Sequence, residues 1–179
     1  SVYTVLDKTM IGLLTGIEEE VAYYEQGQKI VKIVMALVTS LGTVMMPRVA
    51  NLFKQNQLEQ VKKYLSKSFR FVFFLAFPMM FGLMSISHNL VPWFFGDGYN
   101  KVVPNIMVIS PILVIIALSN IMGTQYLLPI GRQKEYTLSV VVGCIVNFSV
   151  NLLLIPKCLS IGAAIATVIA ESSVTGVQM

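Results

Sequence analysis

The chain has 179 residues, 55% of them hydrophobic and 12% charged, with a formal net charge of +4 and a mean hydropathy of +0.73. A soluble domain carries roughly 25% charged residues. This chain has too few polar side chains to cover a water-facing surface, and lipid removes that demand, which excludes a soluble globular domain and points to a polytopic membrane protein.

Six apolar segments follow one another: residues 3–14, 21–46 (apolar mainly after Ile30), 71–90, 103–128, 137–155 and 161–177. Four or five approach the ~20 residues that cross a ~30 Å hydrocarbon core. They are expected as helices because lipid offers no partners to backbone N–H and C=O groups. The run Phe71-Val-Phe-Phe-Leu-Ala-Phe77 does not alternate as a barrel strand would. The fold class expected is therefore all-α, a polytopic transmembrane helical bundle of about six spans. The chain opens on Ser1 inside an apolar run and closes on Met179 with no polar tail, so a fragment of a longer chain is expected. No signal peptide is visible.

In the first segment Asp7 and Lys8 are neighbours, so their side chains point about 100° apart on a helix and do not face each other. Each either lines a cavity or marks a helix end. In the second segment Glu25, Lys29 and Lys32 fall at i, i+4 and i+7 and stack on one face. The stripe continues through Ala36, Thr39 or Ser40, and Thr43. Two readings stand: a wet internal cavity, or local pairing with lysines that snorkel to the interface.

The connection at about 48–70 is basic, with Arg48, Lys54, Lys62, Lys63, Lys67 and Arg70 against the single acid Glu59. Val49, Leu52, Phe53, Leu58, Val61, Leu65 and Phe69 recur at helical spacing. A basic amphipathic helix on the inner leaflet is expected. Counting both even-numbered connections gives eight Lys and Arg, whereas the three odd-numbered ones hold two. The positive-inside rule then puts the basic set in the cytoplasm.

Pro78, Pro111 and Pro129 interrupt or end spans and bend them. His88 is the lone histidine. Trp93, Phe94 and Phe95 read as an interfacial aromatic anchor. In the fifth segment Ser139, Gly143, Asn147 and Asn151 repeat every four residues, either as interhelical packing or as a cavity face. In the sixth, Gly162, Ala163, Ala166, Thr167 and Ala170 form a small-residue face for close helix contact. Glu171 follows, buried by span length but near the cytoplasmic third, so interface exposure and a cavity role both stand. Cys144 and Cys158 stand about 21 Å apart if helical, too far for a mutual disulfide unless the chain turns back sharply. There is no Gly-rich phosphate loop, no His-Glu-x-x-His and no Cys/His cluster with metal spacing. Hence no catalytic residue, no metal, no cofactor, no nucleic-acid partner and no enzyme chemistry are expected.

Several motifs, taken in order, resemble a known family. They are Leu6-Asp7-Lys8-Thr-Met-Ile-Gly12; Val21-Ala-Tyr-Tyr24-Glu-Gln-Gly-Gln-Lys29-Ile30; Met46-Pro47-Arg48; Phe94-Phe95-Gly96 followed by Tyr99; Gln125-Tyr-Leu-Leu-Pro129-Ile-Gly131-Arg132; Asn147-x-x-x-Asn151-Leu-x-Leu-Ile-Pro156; and Gly162-Ala-Ala-x-Ala-Thr167. Their order and spacing resemble the C-terminal half of a polysaccharide repeat-unit flippase of the multidrug/oligosaccharidyl-lipid/polysaccharide exporter superfamily. The resemblance implies that residues 1–179 are one bundle of a two-bundle transporter in a bacterial cytoplasmic membrane. It implies an undecaprenyl-pyrophosphate-linked oligosaccharide as substrate, moved by alternating access, for a capsule or other surface polymer. Membrane lipids, and a polymerase and glycosyltransferases, are the partners it suggests. The alternatives within the superfamily are a cation-coupled drug exporter and a flippase for the peptidoglycan lipid precursor. Lys8, Lys29, Lys32 and Arg48 suit an anionic pyrophosphate, and Asp7 and Glu25 suit coupling to an ion gradient. With Gln125, Asn147 and Asn151 these make the candidate site.

Overall fold

The computed structural model describes residues 2–179. Ser1, on which the chain opens, lies outside them. Helix α1 is Val2–Thr15, α2 is Glu18–Lys54 and α3 is Leu58–Phe95. A single 3-10 turn, Asp97–Tyr99, leads into a broken rod of α4 (Val102–Ile109), α5 (Ile112–Ser119) and a π-helical run, Asn120–Leu127. Helix α6, Gln133–Gln178, closes the chain.

Six separate spans do not form. Among the described residues four helices are long and apolar enough to cross a membrane: Glu18–Lys54, Leu58–Phe95, Val102–Leu127 and Gln133–Gln178. The first expected segment becomes α1, which at 14 residues is too short to cross alone. The fifth and sixth are the two arms of α6, which runs on past Pro156 and leaves helical geometry only at Leu159, with φ 53° and ψ −132°.

That one residue folds α6 back on itself. In a straight helix Ser139 and Gln178 would stand about 58 Å apart, yet Gln178 Nε2 donates to Ser139 Oγ at 2.9 Å. A Cβ on Gly162 would lie 2.5 Å from the Leu154 carbonyl oxygen, so the two arms, 133–158 and 160–178, touch backbone to backbone. The small-residue face read from sequence is what permits this: Gly162, Ala163, Ala166, Thr167 and Ala170 are all buried.

The other turns have local causes. Gly16 stops α1 with φ 65°, its N–H returning to Gly12 O at 3.0 Å, a left-handed cap that only glycine adopts at no steric cost. Between α2 and α3 the chain reverses in residues 55–57, where Asn56 takes φ 56°, a conformation asparagine tolerates better than most. Residues 48–70 are therefore not one surface helix. They are the last turns of α2 and the first of α3, with Arg48 and Lys54 on one side of the reversal and Lys62, Lys63, Lys67 and Arg70 on the other. Pro111 stands at the joint between α4 and α5, where Ser110 and Pro111 keep helical backbone angles. The π-run ends on a 3.0 Å bond from Leu128 N–H to Gly123 O, five residues back.

Core and surface are both apolar. Ile11, Tyr24, Val31, Val91, Ile106, Leu113 and Ile155 meet inside, while Leu13, Phe74 and Trp93 are 80%, 81% and 81% exposed. Such a surface is stable against lipid, not water. The two ends differ. Tyr23, Phe95 and Tyr99 pack together near the start of α2 and the end of α3, with ring centroids 5.6–6.1 Å apart, as at a membrane interface. The opposite end carries the basic residues of the α2–α3 reversal.

Gly162→Ala is expected to destabilise the full-length protein by about 1–3 kcal/mol, because backbone cannot yield to the new methyl. Gly82→Ala, with open space around it, is expected to be neutral or slightly stabilising. Detergent-solubilised unfolding midpoints of the two variants check this.

Candidate functional site

The Asp7 carboxylate is 0% exposed and is the hub of the bundle. Asn151 Nδ2 donates to Asp7 Oδ1 at 2.6 Å. The Tyr24 hydroxyl donates to Asp7 Oδ2 in a very short bond. The Thr167 hydroxyl lies 2.9 Å from Asp7 Oδ2 and 2.9 Å from Ala163 O, its one proton divided between them. Gln28 Nε2 donates to the Tyr24 oxygen at 2.6 Å, and Asn151 also donates to Asn147 Oδ1 at 3.2 Å. Three elements thus converge: α1 supplies Asp7, α2 supplies Tyr24 and Gln28, and the arms of α6 supply Asn151 and Thr167.

None of these partners is a cation. Asp7 makes no ion pair among the described residues. A buried ion costs several kcal/mol to desolvate, offset here by hydrogen bonds to charge worth about 1.5–3 kcal/mol each. Oxygens are also in surplus: Gln28 Oε1 and Asn151 Oδ1 are buried with no hydrogen-bond partner. An anionic oxygen ringed by amide and hydroxyl oxygens has the donor chemistry to hold a proton or a small hard cation. Among the described residues no group of three His, Cys, Asp or Glu side chains is placed for a metal ion.

Lys8 leaves α1 on the adjacent face, as its neighbour position requires. Its ammonium meets Glu25 at 2.9 Å, and Lys29 reaches the same carboxylate from one turn along α2 at 3.4 Å. Two cations share one anion. Lys32 is half-buried beyond them. From Glu18 to Lys32 is about 21 Å along the helix. Lys29 also stands at the rim of an apolar groove of about 400 Å³ between α2 and α3, lined by Ile30, Ile33, Leu83, Leu90 and Phe94.

The expected site is only partly assembled. Asp7, Asn147 and Asn151 meet in one network, and Lys8, Glu25 and Lys29 in a second beside it. Arg48 is not among them. It is exposed near the far end of α2, with its guanidinium 4.9 Å from the Tyr64 ring centroid. Gln125 is buried in the π-run, where Nε2 donates to Asn120 Oδ1 at 3.2 Å. Tyr24, Gln28 and Thr167 complete the Asp7 cluster and were not singled out from sequence as site residues. Tyr24 and Gln28 are spaced i, i+4, a signal that was there to use.

A second polar knot lies at the aromatic end. Glu20, 3% exposed, accepts from Lys101 Nζ at 3.1 Å, from Ser160 Oγ at 2.6 Å and from Ser160 N–H at 3.3 Å. Asn105 Nδ2 adds a bond to Ser160 Oγ at 3.1 Å. A carboxylate on the first N–H of the second α6 arm caps a helix start that has no cap of its own. The hydrogen bond to Glu20 holds the Lys101 ammonium above the ordinary lysine range.

The model of a family described as "polysaccharide biosynthesis protein" matches residues 1–104. The chain is 23% identical over 172 residues to the probable low-salt glycan biosynthesis flippase Agl15 of Haloferax volcanii, covering 92% of this chain and 34% of that protein. It is 24% identical over 143 residues to the lipid II flippase MurJ of Bacillus subtilis, covering 78% of this chain and 26% of that protein. The chain thus spans about a third of the first relative's length and about a quarter of the second's. No solved structure matches it.

Asp7→Ala removes the acceptor that three buried donors share, and the full-length protein is expected to lose about 3 kcal/mol or more. Lys62→Ala, at the exposed pair with Glu59, is expected to change stability by less than about 0.5 kcal/mol. Chemical-denaturant titration in detergent compares them.

Proposed function

Because the chain belongs to the polysaccharide biosynthesis protein family, we propose that it forms one helical bundle of a flippase that carries lipid-linked glycan repeat units across a membrane. The observation that carries this reading is the shared carboxylate of Glu25. Two lysines on one glutamate, with Lys32 beyond them, leave surplus positive charge about 16–21 Å along α2 from its start. Ionised side chains on a membrane-spanning helix face a cavity, a partner or the interface. A pyrophosphate supplies the missing negative charge and accepts charge-assisted hydrogen bonds from each ammonium. Multi-pass architecture and the flippase names of the two relatives support the same reading.

In this reading the basic end of α2 and α3 faces the cytoplasm of a bacterial cell, by the positive-inside rule. The glycan head group enters between this bundle and a second one, its phosphates drawn to Lys8, Lys29 and Lys32. No covalent bond of the substrate is made or broken, so the chain is a transporter and not an enzyme. The Asp7 cluster takes up a proton or monovalent cation and so couples the transport cycle to an ion gradient. An undecaprenyl-pyrophosphate-linked unit for a capsule or other surface polymer is the substrate proposed, made by glycosyltransferases and consumed by a polymerase. The likeness to a lipid II flippase favours a second reading, in which the cargo is the peptidoglycan lipid precursor.

The double variant Lys29→Ala, Lys32→Ala of the full-length protein is expected to cut export of lipid-linked repeat units about tenfold or more, as loss of roughly 1.4 kcal/mol of binding would. Lys62→Ala is expected to export normally. Unchanged export in the double variant removes these lysines from the path. Scoring surface polymer and cell-wall precursor separately in the same cells tells the two cargoes apart.

A further inference from the structure

Lys29 stands between two environments. On one side its ammonium meets Glu25 at 3.4 Å, a carboxylate that Lys8 already holds at 2.9 Å. An ammonium carries three donors, and the Lys29 side chain is 57% exposed, so it has capacity for a further acceptor. On the other side begins the apolar groove of about 400 Å³ between α2 and α3. Leu83 is buried there and Ile30 and Leu90 are half-buried, which makes a floor, while Ile33, Ile86 and Phe94 are each more than half exposed along its open side. One carboxylate for two ammoniums leaves the rim positive, and the rest of the groove lining carries no charge.

Shape and charge together select an occupant. The groove follows α2 from Gln26 to Val34 and α3 from Leu83 to Phe95, about 12–18 Å of helix. Its volume over that length gives a cross-section of roughly 20–35 Å². That is the width of one hydrocarbon chain in van der Waals contact with its walls. A further helix, about 10–12 Å across with its side chains, is too wide to enter. A neutral chain would fill the apolar length and leave the ammonium at the rim unanswered. A hydrocarbon chain that ends in a phosphate answers both, with charge-assisted hydrogen bonds at one end and burial of apolar surface along the rest. The direction fits as well. Lys29 lies toward the aromatic end, and the groove leads from it toward Val34 and Leu83, so a lipid lies in it with its head nearer that interface than its tail.

We propose that the α2–α3 groove is the docking site for the hydrocarbon tail of the lipid-linked cargo, a polyprenyl chain whose phosphate is held at Lys29. This rests on the reading of Lys29 as a ligand of the cargo's pyrophosphate, and it adds where the attached lipid goes. The tail is covalently joined to the phosphate, so it must leave from beside that anion, and the groove begins at the same lysine. Phosphate and tail then bind as one ligand: the lysines select the charge, and Ile33, Ile86 and Phe94 select the chain. The glycan, joined to the other end of the pyrophosphate, stays outside the groove. The site therefore reads the carrier lipid and not the sugar.

The test uses the full-length protein in vesicles of phosphatidylethanolamine and phosphatidylglycerol. The probe is undecaprenyl diphosphate with a photoreactive diazirine in its isoprenoid chain. After illumination, mass spectrometry of the digested protein locates the adducts. The expected result is adducts concentrated on residues 26–34 and 83–95, competed away by unlabelled undecaprenyl diphosphate and not by added phosphatidylglycerol. Ile33→Trp with Ile86→Trp fills the groove from its open side and is expected to cut those adducts about tenfold, as excluding roughly two methylenes from an apolar site would. Phe74→Trp, on another exposed stretch of α3, is expected to leave them unchanged. The adduct map of the unaltered protein decides the matter even where the double variant does not fold. Adducts absent from the groove, spread evenly over exposed residues such as Phe74, Ile145 and Leu153, or competed equally by phosphatidylglycerol overturn the proposal. If Lys29→Ala with Lys32→Ala abolishes export while the tryptophan pair leaves adducts and export untouched, the flippase reading survives and this inference fails. If the adducts map to the groove but export of repeat units does not depend on the lysines, the lipid site stands and the flippase reading fails.

Discussion

A carboxylate with no cation beside it, sealed in a bundle that lives in lipid, must have its charge answered by hydrogen bonds alone. Asp7 meets that condition with Asn151, Tyr24 and Thr167. The consequence is architectural as much as electrostatic. The three donors belong to α2 and to both arms of α6, so the energy of keeping one anion out of water is what fixes α1 against the rest. Without that anion α1, 14 residues long, keeps the part-exposed Lys8–Glu25 pair and apolar contact, and apolar contact discriminates poorly between protein and lipid tails.

The polar interior is layered along the membrane normal. The Glu20 knot pins the beginning of α2, the residue before α4 and the bend of α6 at the aromatic end. The Asp7 cluster comes next. Deeper still, Ser119, Ser139 and Gln178 tie α5 to both arms of α6, with bonds of 2.9 Å. Each layer joins three segments that are remote in sequence. Beside this ladder the Lys8–Glu25–Lys29 group faces outward from the bundle. The Asp7 and Glu20 groups thus look in, and the Lys8–Glu25–Lys29 group looks out on the α1–α2 side.

The membrane character, the helices and the two polar stripes of α2 and α6 were legible in the sequence because each depends on spacing within one helix. Glu25 and Lys29 pair because they are one turn apart, and Ser139, Gly143, Asn147 and Asn151 are all buried because they share a face. The site itself was only half legible. Asp7 contacts Asn151 and Thr167 across 144 and 160 residues, and no local pattern encodes such a meeting. Arg48 was grouped with the lysines by charge alone, and helix length carries it to the opposite end. The break between the fifth and sixth segments was read in the right place. What could not be read was that helical geometry resumes on both sides of a single leucine. Cys158-Leu159-Ser160 contains neither of the residues that normally announce a reversal.

That reversal sets a symmetry. Asn151 lies eight residues before Leu159 and Thr167 eight residues after it. At 1.5 Å per residue both stand about 12 Å from the bend, so the two arms deliver their donors to Asp7 at equal height without further adjustment. One residue added to or removed from the bend would lift one donor by about 1.5 Å and swing it by about 100°, emptying half the shell around Asp7 from a distance. The alignment of the interior is thus counted out from the hairpin's tip, like two hands of equal length on one pivot, and the tip tolerates substitution far better than it tolerates a change in length.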